Sequence, residues 1–245
     1  MADIVAGRQP VWEALKAGRP INRVLVAQDA GRHSTIAEIL HAAQSRRIPV
    51  DFVPRLVLDQ EIGSGTHQGV VAYAAAKDYV DLDELLEVSR RRSEPAFYCI
   101  LDGIEDPQNL GAILRTCCAA GVHGVVVRSR RAVGLTAGVA KASAGAIEYV
   151  PVARVSNIAY SMDALQRQGV WVVGIDGRGD CLYTDVDYTV PTALVIGAEG
   201  TGVSDVVRKK SDRVARIPMR GDVASLNASV AAALALYEAF RQRGW

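Results

Sequence analysis

Leu194-Val195-Ile196-Gly197-Ala198-Glu199-Gly200-Thr201-Gly202-Val203-Ser204 reads as a buried strand, a glycine-rich turn and the start of a helix. The three glycines, spaced by three and two, let the backbone bend where a side chain would clash. Ser204 and Asp205 then suit a helix N-cap and first turn. Two familiar phosphate loops fit poorly. No Gly-Lys-Ser/Thr ending makes a P-loop, and the position late in the chain is wrong for a dinucleotide fingerprint. Taken alone, the stretch fits either a tight strand-to-helix turn or a loop whose backbone approaches a ligand closely. Its one carboxylate, Glu199, has no near twin, so it gives no support to paired-carboxylate hydrolysis.

Residues 95–245 alternate apolar strand candidates with helical segments. Strands are expected at Phe97–Leu101, Gly124–Val127, Val170–Ile175, Ala193–Ile196 and Arg213–Ile217. Helices are expected at Asn109–Ala120, Ala137–Ser143, Ile158–Gln168, Asp205–Lys210 and from near Asn227 onward. This order implies a mainly parallel sheet covered on both faces. Residues 1–77 form a smaller α/β unit. It has helices over Pro10–Ala17, after Ser34 as cap, and after Pro54; its strands are Arg23–Ala27, Pro49–Val53 and Gly69–Ala74. Residues 78–94 shift to a net charge of −3 between segments of +2 each and are closed by Pro95, so they read as a linker, in which Leu82, Leu85 and Leu86 suggest a helical turn or two.

The whole chain has 245 residues, 49% of them hydrophobic, and a net charge of +1 that argues neither for nor against a nucleic-acid partner. No apolar run approaches the ~18 residues of a membrane span. The segment Met1–Val5 lacks the basic-then-apolar pattern of a signal peptide, so a cytoplasmic location is expected. Cys99, Cys117, Cys118 and Cys181 form no CxxC pair and read as reduced thiols. His33, His41, His67 and His123 are scattered without metal-ligand spacing, so no metal is expected. No Gly-x-Ser-x-Gly elbow is present.

Two further polar clusters interrupt the apolar second domain. Asp102 to Arg115 leaves the end of a predicted strand, where parallel α/β proteins bind ligands, and enters a helix. Asn109 lies at the start of that helix and Arg115 six residues on, about 600° around the axis. A guanidinium among Ile113, Leu114 and Cys117 needs a partner. Ser225 and Asn227 precede the last helix, and N-capping accounts for only one of these two polar side chains.

Asp-Pro-Gln-Asn-Leu-Gly-Ala-Ile-Leu-Arg-Thr (106–116), Val-Ile-Gly-Ala-Glu-Gly-Thr-Gly-Val (195–203), Ile-Pro-Met (217–219) and Ser-Leu-Asn-Ala-Ser-Val-Ala (225–231) together resemble the three motifs of the SpoU/TrmH RNA ribose 2′-O-methyltransferases, in the family's order. Gly7 and Thr66-His67-Gln68-Gly69-Val70-Val71-Ala72 resemble the small RNA-binding domain of the bacterial enzymes that methylate a guanosine ribose in 23S ribosomal RNA. The resemblance implies a SPOUT domain over 95–245, a parallel sheet with a deep trefoil knot, behind the small α/β RNA-binding domain. It implies S-adenosyl-L-methionine wrapped by Gly197, Ala198, Gly200, Gly202, Ile217, Met219 and Leu226. It implies a homodimer formed through the knotted domain. Arg115 would act on the 2′-hydroxyl, as base or as electrostatic clamp. Asn109, Glu199, Ser225 and Asn227 would orient Arg115 and the ribose, with Glu199 the natural partner of the guanidinium. The expected reaction is methyl transfer to a guanosine 2′-hydroxyl of 23S rRNA; transfer RNA, or an adenosine in 23S rRNA as in the thiostrepton-resistance enzymes, is the alternative substrate. Candidate RNA contacts are Arg8, Arg23, Arg32, Arg55, Arg128, Arg130 and Arg131.

Overall fold

The computed structural model describes residues 3–31, 33–63, 66–222 and 225–244, and they fall into two compact units. One takes the chain up to Asp78 together with Gly134–Tyr149. The other takes Tyr79–Val133 and the chain from Val150 onward.

The first unit contains β1 (Asp3–Ala6), α1 (Arg8–Lys16), β2 (Ile21–Ala27), α2 (Ser34–Ser45), β3 (Val50–Val53), α3 (Arg55–Ile62) and β4 (Val70–Ala74). Its sheet runs β1-β4-β2-β3, with β4 antiparallel to both neighbours and β2 parallel to β3. Val24, Leu25, Val70, Val71 and Ala72 are buried in its core against Val11, Leu15, Ile39 and Leu58 of the helices. The cap of α2 is His33, whose ring nitrogen accepts from the Thr35 amide at 3.3 Å, rather than the expected Ser34. The helix Ala137–Ala142 (α6) and the 3-10 turn Ala146–Glu148 belong to this unit although they lie far along the chain. A buried ion cluster accounts for that. Arg19 reaches Glu148 at 2.8 Å and Asp3 at 2.9 Å, and its Nε donates to the Ala75 carbonyl at 2.8 Å. Both side chains of the Arg19–Glu148 pair are under 6% exposed. A buried charge requires such pairing.

The second unit holds α4 (Leu82–Arg92), β5 (Phe97–Asp102), α5 (Pro107–Ala119), β6 (Gly124–Arg128), β7 (Val152–Val155), α7 (Ile158–Arg167), β8 (Trp171–Ile175), β9 (Cys181–Leu182), β10 (Thr192–Gly197), α8 (Asp205–Lys210), β11 (Arg213–Arg216) and α9 (Ala228–Gln242). The sheet order is β7-β6-β5-β10-β8-β11-β9, and every pairing is parallel. All six residues of β5 and of β10 are buried, as the apolar runs predict for strands covered on both faces. The α/β class and parallel sheet are as expected. Strands β1, β7 and β9 are additional, each four residues or fewer, too short for a periodic signal.

The stretch 78–94, which charge composition marks as a linker, carries the eleven-residue α4. Asp81 caps it, accepting from the Glu84 amide at 2.7 Å. Leu82, Leu85 and Leu86 recur at three and four residues, and Leu85 and Leu86 are buried in the second unit's core. The charges occupy the opposite face, so the charge composition registers the exposed surface of a helix whose buried stripe the leucine spacing marks. Leu85→Ala should therefore lower the unfolding free energy by about 2–5 kcal/mol, measured by urea denaturation. A linker residue would change it by no more than about 0.5 kcal/mol.

Candidate functional site

Three adjacent strands, β5, β10 and β8, end side by side. At their carboxyl ends stand Asp102, Gly197 and, one residue beyond β8, Asp176. This edge of a parallel sheet is where ligands bind. From Gly197 the chain folds back on itself: Ala198 and Gly202 form an antiparallel bridge, and the Gly202 amide donates to the Ala198 carbonyl at 2.9 Å. A Cβ on Gly197 would lie 2.0 Å from the Gly202 carbonyl carbon. Gly202 has φ +68°, and a Cβ there would lie 2.5 Å from an Asp176 carboxylate oxygen. Both positions require glycine, for approach and for backbone conformation.

The loop borders a cavity of about 510 Å³, within the ~300–1,000 Å³ of small-molecule sites. Gly197, Ala198, Glu199, Gly200, Thr201 and Gly202 form one wall. Ile217, Met219, Ser225, Leu226, Ala228 and Ala231 form another, and Ile175 to Arg178 with Ile196 complete it. All seven residues expected to wrap a cofactor, and also Glu199 and Ser225, therefore line one space. At Gly177 and Gly200 a Cβ would meet nothing within 4 Å, so the missing side chains leave open room for a ligand.

Beside the cavity, three polar side chains distant in sequence meet. Asn227 Nδ2 donates to Asn109 Oδ1 at 2.9 Å and to Glu199 Oε2 at 3.2 Å. Asn109 Nδ2 donates to the same Glu199 oxygen at 3.5 Å. Asn227 also caps α9, its Oδ1 accepting from the Ser229 amide at 2.9 Å and the Ser229 hydroxyl at 2.6 Å. One residue thus ties a helix start to the glycine loop. Asn109 is not itself the cap of α5: Asp106 is, accepting from the Gln108 and Asn109 amides at 3.3 and 3.1 Å. That frees the Asn109 amide for the network.

Arg115 stands apart. It is exposed, and the described residues offer it no hydrogen bond or ion pair. The expected pairing with Glu199 is absent, because Glu199 faces the two asparagines. Six residues of helix turn Arg115 away from Asn109. Of the candidate RNA contacts, Arg8 donates to the Gln68 carbonyl, Arg23 pairs with Asp51, Arg55 with Asp29, and Arg128 with buried Asp102 at 2.7 Å. Arg130 and Arg131 are exposed, and Arg32 lies outside the described residues.

Sequence reasoning passed over Asp176 and Arg178. Asp176 is 7% exposed and accepts from the Arg178 backbone amide (2.9 Å), Nε (2.8 Å) and Nη2 (2.9 Å), and from the Val203 amide (2.9 Å). The Arg178 side chain, foremost, holds the Asp176 carboxyl down to a pKa of about 2. The only signal available was an acidic residue and a glycine directly after a predicted strand.

A parallel sheet, a glycine loop and a ligand-sized cavity at its carboxyl edge define a cofactor-binding α/β enzyme domain. Residues 96–237 match the SpoU rRNA Methylase family, and residues 4–80 match the domain described as RNA 2′-O ribose methyltransferase substrate binding. The chain belongs to the SpoU methylase family. It is 45% identical to the Bacillus subtilis (strain 168) protein named "Putative TrmH family tRNA/rRNA methyltransferase YacO", over 98% of this chain and 96% of that one. The crystal structure of the SpoU methyltransferase AviRb from Streptomyces viridochromogenes with AdoMet superposes with a TM-score of 0.82 at 30% identity, covering 98% of this chain and 90% of that chain. The AdoMet-bound rRNA methyltransferase from Sinorhizobium meliloti gives 0.79 at 26% identity, covering 98% and 87%. The protein is an S-adenosylmethionine-dependent RNA methyltransferase with an N-terminal substrate-binding domain. No helix among the described residues is long and apolar enough to cross a membrane.

The Asp176 interactions carry a pH signature. The carboxyl pKa falls from 3.8 to about 2 on folding. The corresponding stabilisation, about 2 kcal/mol, is fully present above pH ~4 and lost as pH drops toward 2. In urea denaturation series, the stability gap between wild type and Asp176→Asn should be constant from pH 7 to 5 and narrow between pH 4 and 2.

Proposed function

We propose that the protein transfers a methyl group from S-adenosylmethionine to the ribose 2′-hydroxyl of a guanosine in 23S ribosomal RNA, in the cytoplasm and as a homodimer. The observation that carries the reading is the Asn109–Asn227–Glu199 network beside the cavity, together with an exposed Arg115 that has no hydrogen-bond or ion-pair partner among the described residues. The cofactor supplies an electrophilic methyl on a sulfonium. The chain's task is alignment and charge. Gly197, Ala198, Gly200 and Gly202 hold the cofactor mainly through backbone groups, with Ile217, Met219 and Leu226 against its apolar surfaces. Among the described residues of the lining there is no Gly-Lys-Ser/Thr sequence of a P-loop, in keeping with a cofactor that has no phosphate.

Asn109, Ser225 and Asn227 offer amide and hydroxyl groups to the ribose, and Glu199 fixes the two asparagines in register. Holding hydroxyl and methyl in line can supply ~7–11 kcal/mol of barrier reduction. A guanidinium keeps its proton, so Arg115 acts as a clamp on an RNA phosphate and on the 2′-oxygen as negative charge develops there. The N-terminal unit holds the RNA, chiefly by shape and backbone contacts. The exposed Arg130 and Arg131 add to that grip, while Arg8, Arg23, Arg55 and Arg128 serve the protein's own structure. The ribosomal substrate is favoured by the S. meliloti relative, an rRNA methyltransferase that matches across both domains.

A trefoil knot belongs to the same reading. It is supported by β11 lying between β8 and β9, with the Asp180 amide on the Val214 carbonyl (3.2 Å) and Arg216 on the Gly179 carbonyl (2.8 Å). The dimer is supported by a row of exposed apolar residues on α9, Val230, Leu234 and Tyr237, each at least 40% exposed. They border an apolar groove of about 670 Å³ shared with Ala112 and Thr116 of α5. A second copy of that face would cover both sides isologously. Light scattering should give twice the 26.2 kDa chain mass, falling to one chain mass for Leu234→Asp.

The reaction is tested with methyl-labelled S-adenosylmethionine on unmodified 23S rRNA and on tRNA. Label should enter one guanosine of 23S rRNA and make the adjoining backbone bond resistant to alkali. Arg115→Ala should lower kcat by at least ~10²-fold with cofactor affinity little changed. Labelling of tRNA alone would move the substrate. An unaffected Arg115→Ala would refute its role.

A further inference from the structure

We propose that Asp176 and Arg178 are positioning residues that, with Asp102, set the glycine loop in its cofactor-binding shape before the cofactor arrives. This rests on the cavity being the S-adenosylmethionine site. β10 lies between β5 and β8, and a buried carboxylate stands at the end of each neighbour. Asp176 Oδ2 takes the Val203 amide at 2.9 Å, and Asp102 Oδ2 takes the Ser204 amide at 2.9 Å. Two successive peptide N–H groups at the loop's exit are thus held by carboxylates from the two flanking strands. Each carboxylate has its own arginine: Arg178 on Asp176 and Arg128 on Asp102.

Residue 203 is held twice, because Arg178 Nη2 also donates to the Val203 carbonyl at 2.9 Å. Arg178 extends the grip to Asp205 at 3.3 Å, in the first turn of α8. Asp176 and Arg178 both line the cavity. Yet the two Asp176 oxygens already accept four donors, close to the capacity of a carboxylate, so the residue acts on a ligand through the loop and not by direct contact. Gly202 is packed directly against this carboxylate, so removing the charge or the fork loosens the residue that closes the loop. A loop already ordered spares the cofactor the cost of ordering it.

The test uses the full-length protein. Asp176→Asn keeps the size and replaces one acceptor with a donor facing Val203 or Arg178. Calorimetry with S-adenosylmethionine should show Kd raised at least tenfold, about 1.4 kcal/mol, with kcat at saturating cofactor within about threefold of wild type. Arg178→Lys keeps the charge without the fork and should weaken binding by a smaller factor; it carries the test if Asp176→Asn does not fold. Hydrogen exchange gives an activity-independent reading. Without cofactor, the Val203 amide should be protected in wild type and exchange at least tenfold faster in Asp176→Asn, while Ser204, held by Asp102, keeps its protection. Unchanged Val203 exchange, or a Kd within twofold of wild type in both variants, would overturn the proposal. If wild type itself does not bind S-adenosylmethionine, the site reading fails instead, and the exchange data still decide whether Asp176 holds the loop.

Discussion

The second unit turns on one backbone contact. Gly197 and Gly202 pack against each other with no room for a side chain on Gly197, and the loop between them folds back into its own bridge. That contact puts Ala198 to Thr201 along a cavity wall and sends the chain out of the loop between two aspartates. The surrounding sheet is arranged to make it possible. The most deeply buried strands, β5 and β10, lie at the centre, and their ends deliver the loop to the edge where parallel strands present ligands.

The residues of the site divide into those that serve the fold and those left free. Asp102, Asp176, Arg128 and Arg178 spend their charges on one another and on loop amides. Asn227 is shared: its carbonyl oxygen caps α9 and its amide nitrogen reaches Asn109 and Glu199. Among the described residues Arg115 is left without a hydrogen-bond or ion-pair partner, in keeping with the proposed clamp on an RNA phosphate. The same division holds in the first unit, where Arg19 is closed off by Asp3 and Glu148. Most of the arginines that composition offered as RNA contacts hold protein partners as well.

Much of this was legible in the sequence, for identifiable reasons. Glycine at 197 and 202 encodes close approach in the residue type itself. The apolar runs at 97–101 and 193–196 announce doubly covered strands, and polar residues at 109 and 227 stand out at the starts of apolar helices. Other features depend on which strands become neighbours, and no local pattern encodes that. The meeting of Asn109 with Asn227, 118 positions apart, follows from sheet order, as does the grip on Val203 from 27 positions upstream. The Arg115–Glu199 pairing rests on the family resemblance and on the fit of a guanidinium to a carboxylate, and in the fold Glu199 takes the two asparagines instead. The leucines of α4 show a helical turn or two while its exposed charges read as a linker, and Gly134–Tyr149 joins the first unit through Glu148, whose partner lies 129 residues away.

A crystal structure with S-adenosylhomocysteine bound would decide whether the glycine loop is a preformed cofactor site. The ligand should lie between residues 197–202 on one side and 217–219 with 225–228 on the other, with the loop backbone within about 1 Å of the course described above, as for a preorganised site. A ligand seated elsewhere, or a loop that must refold around it, would contradict a preformed site.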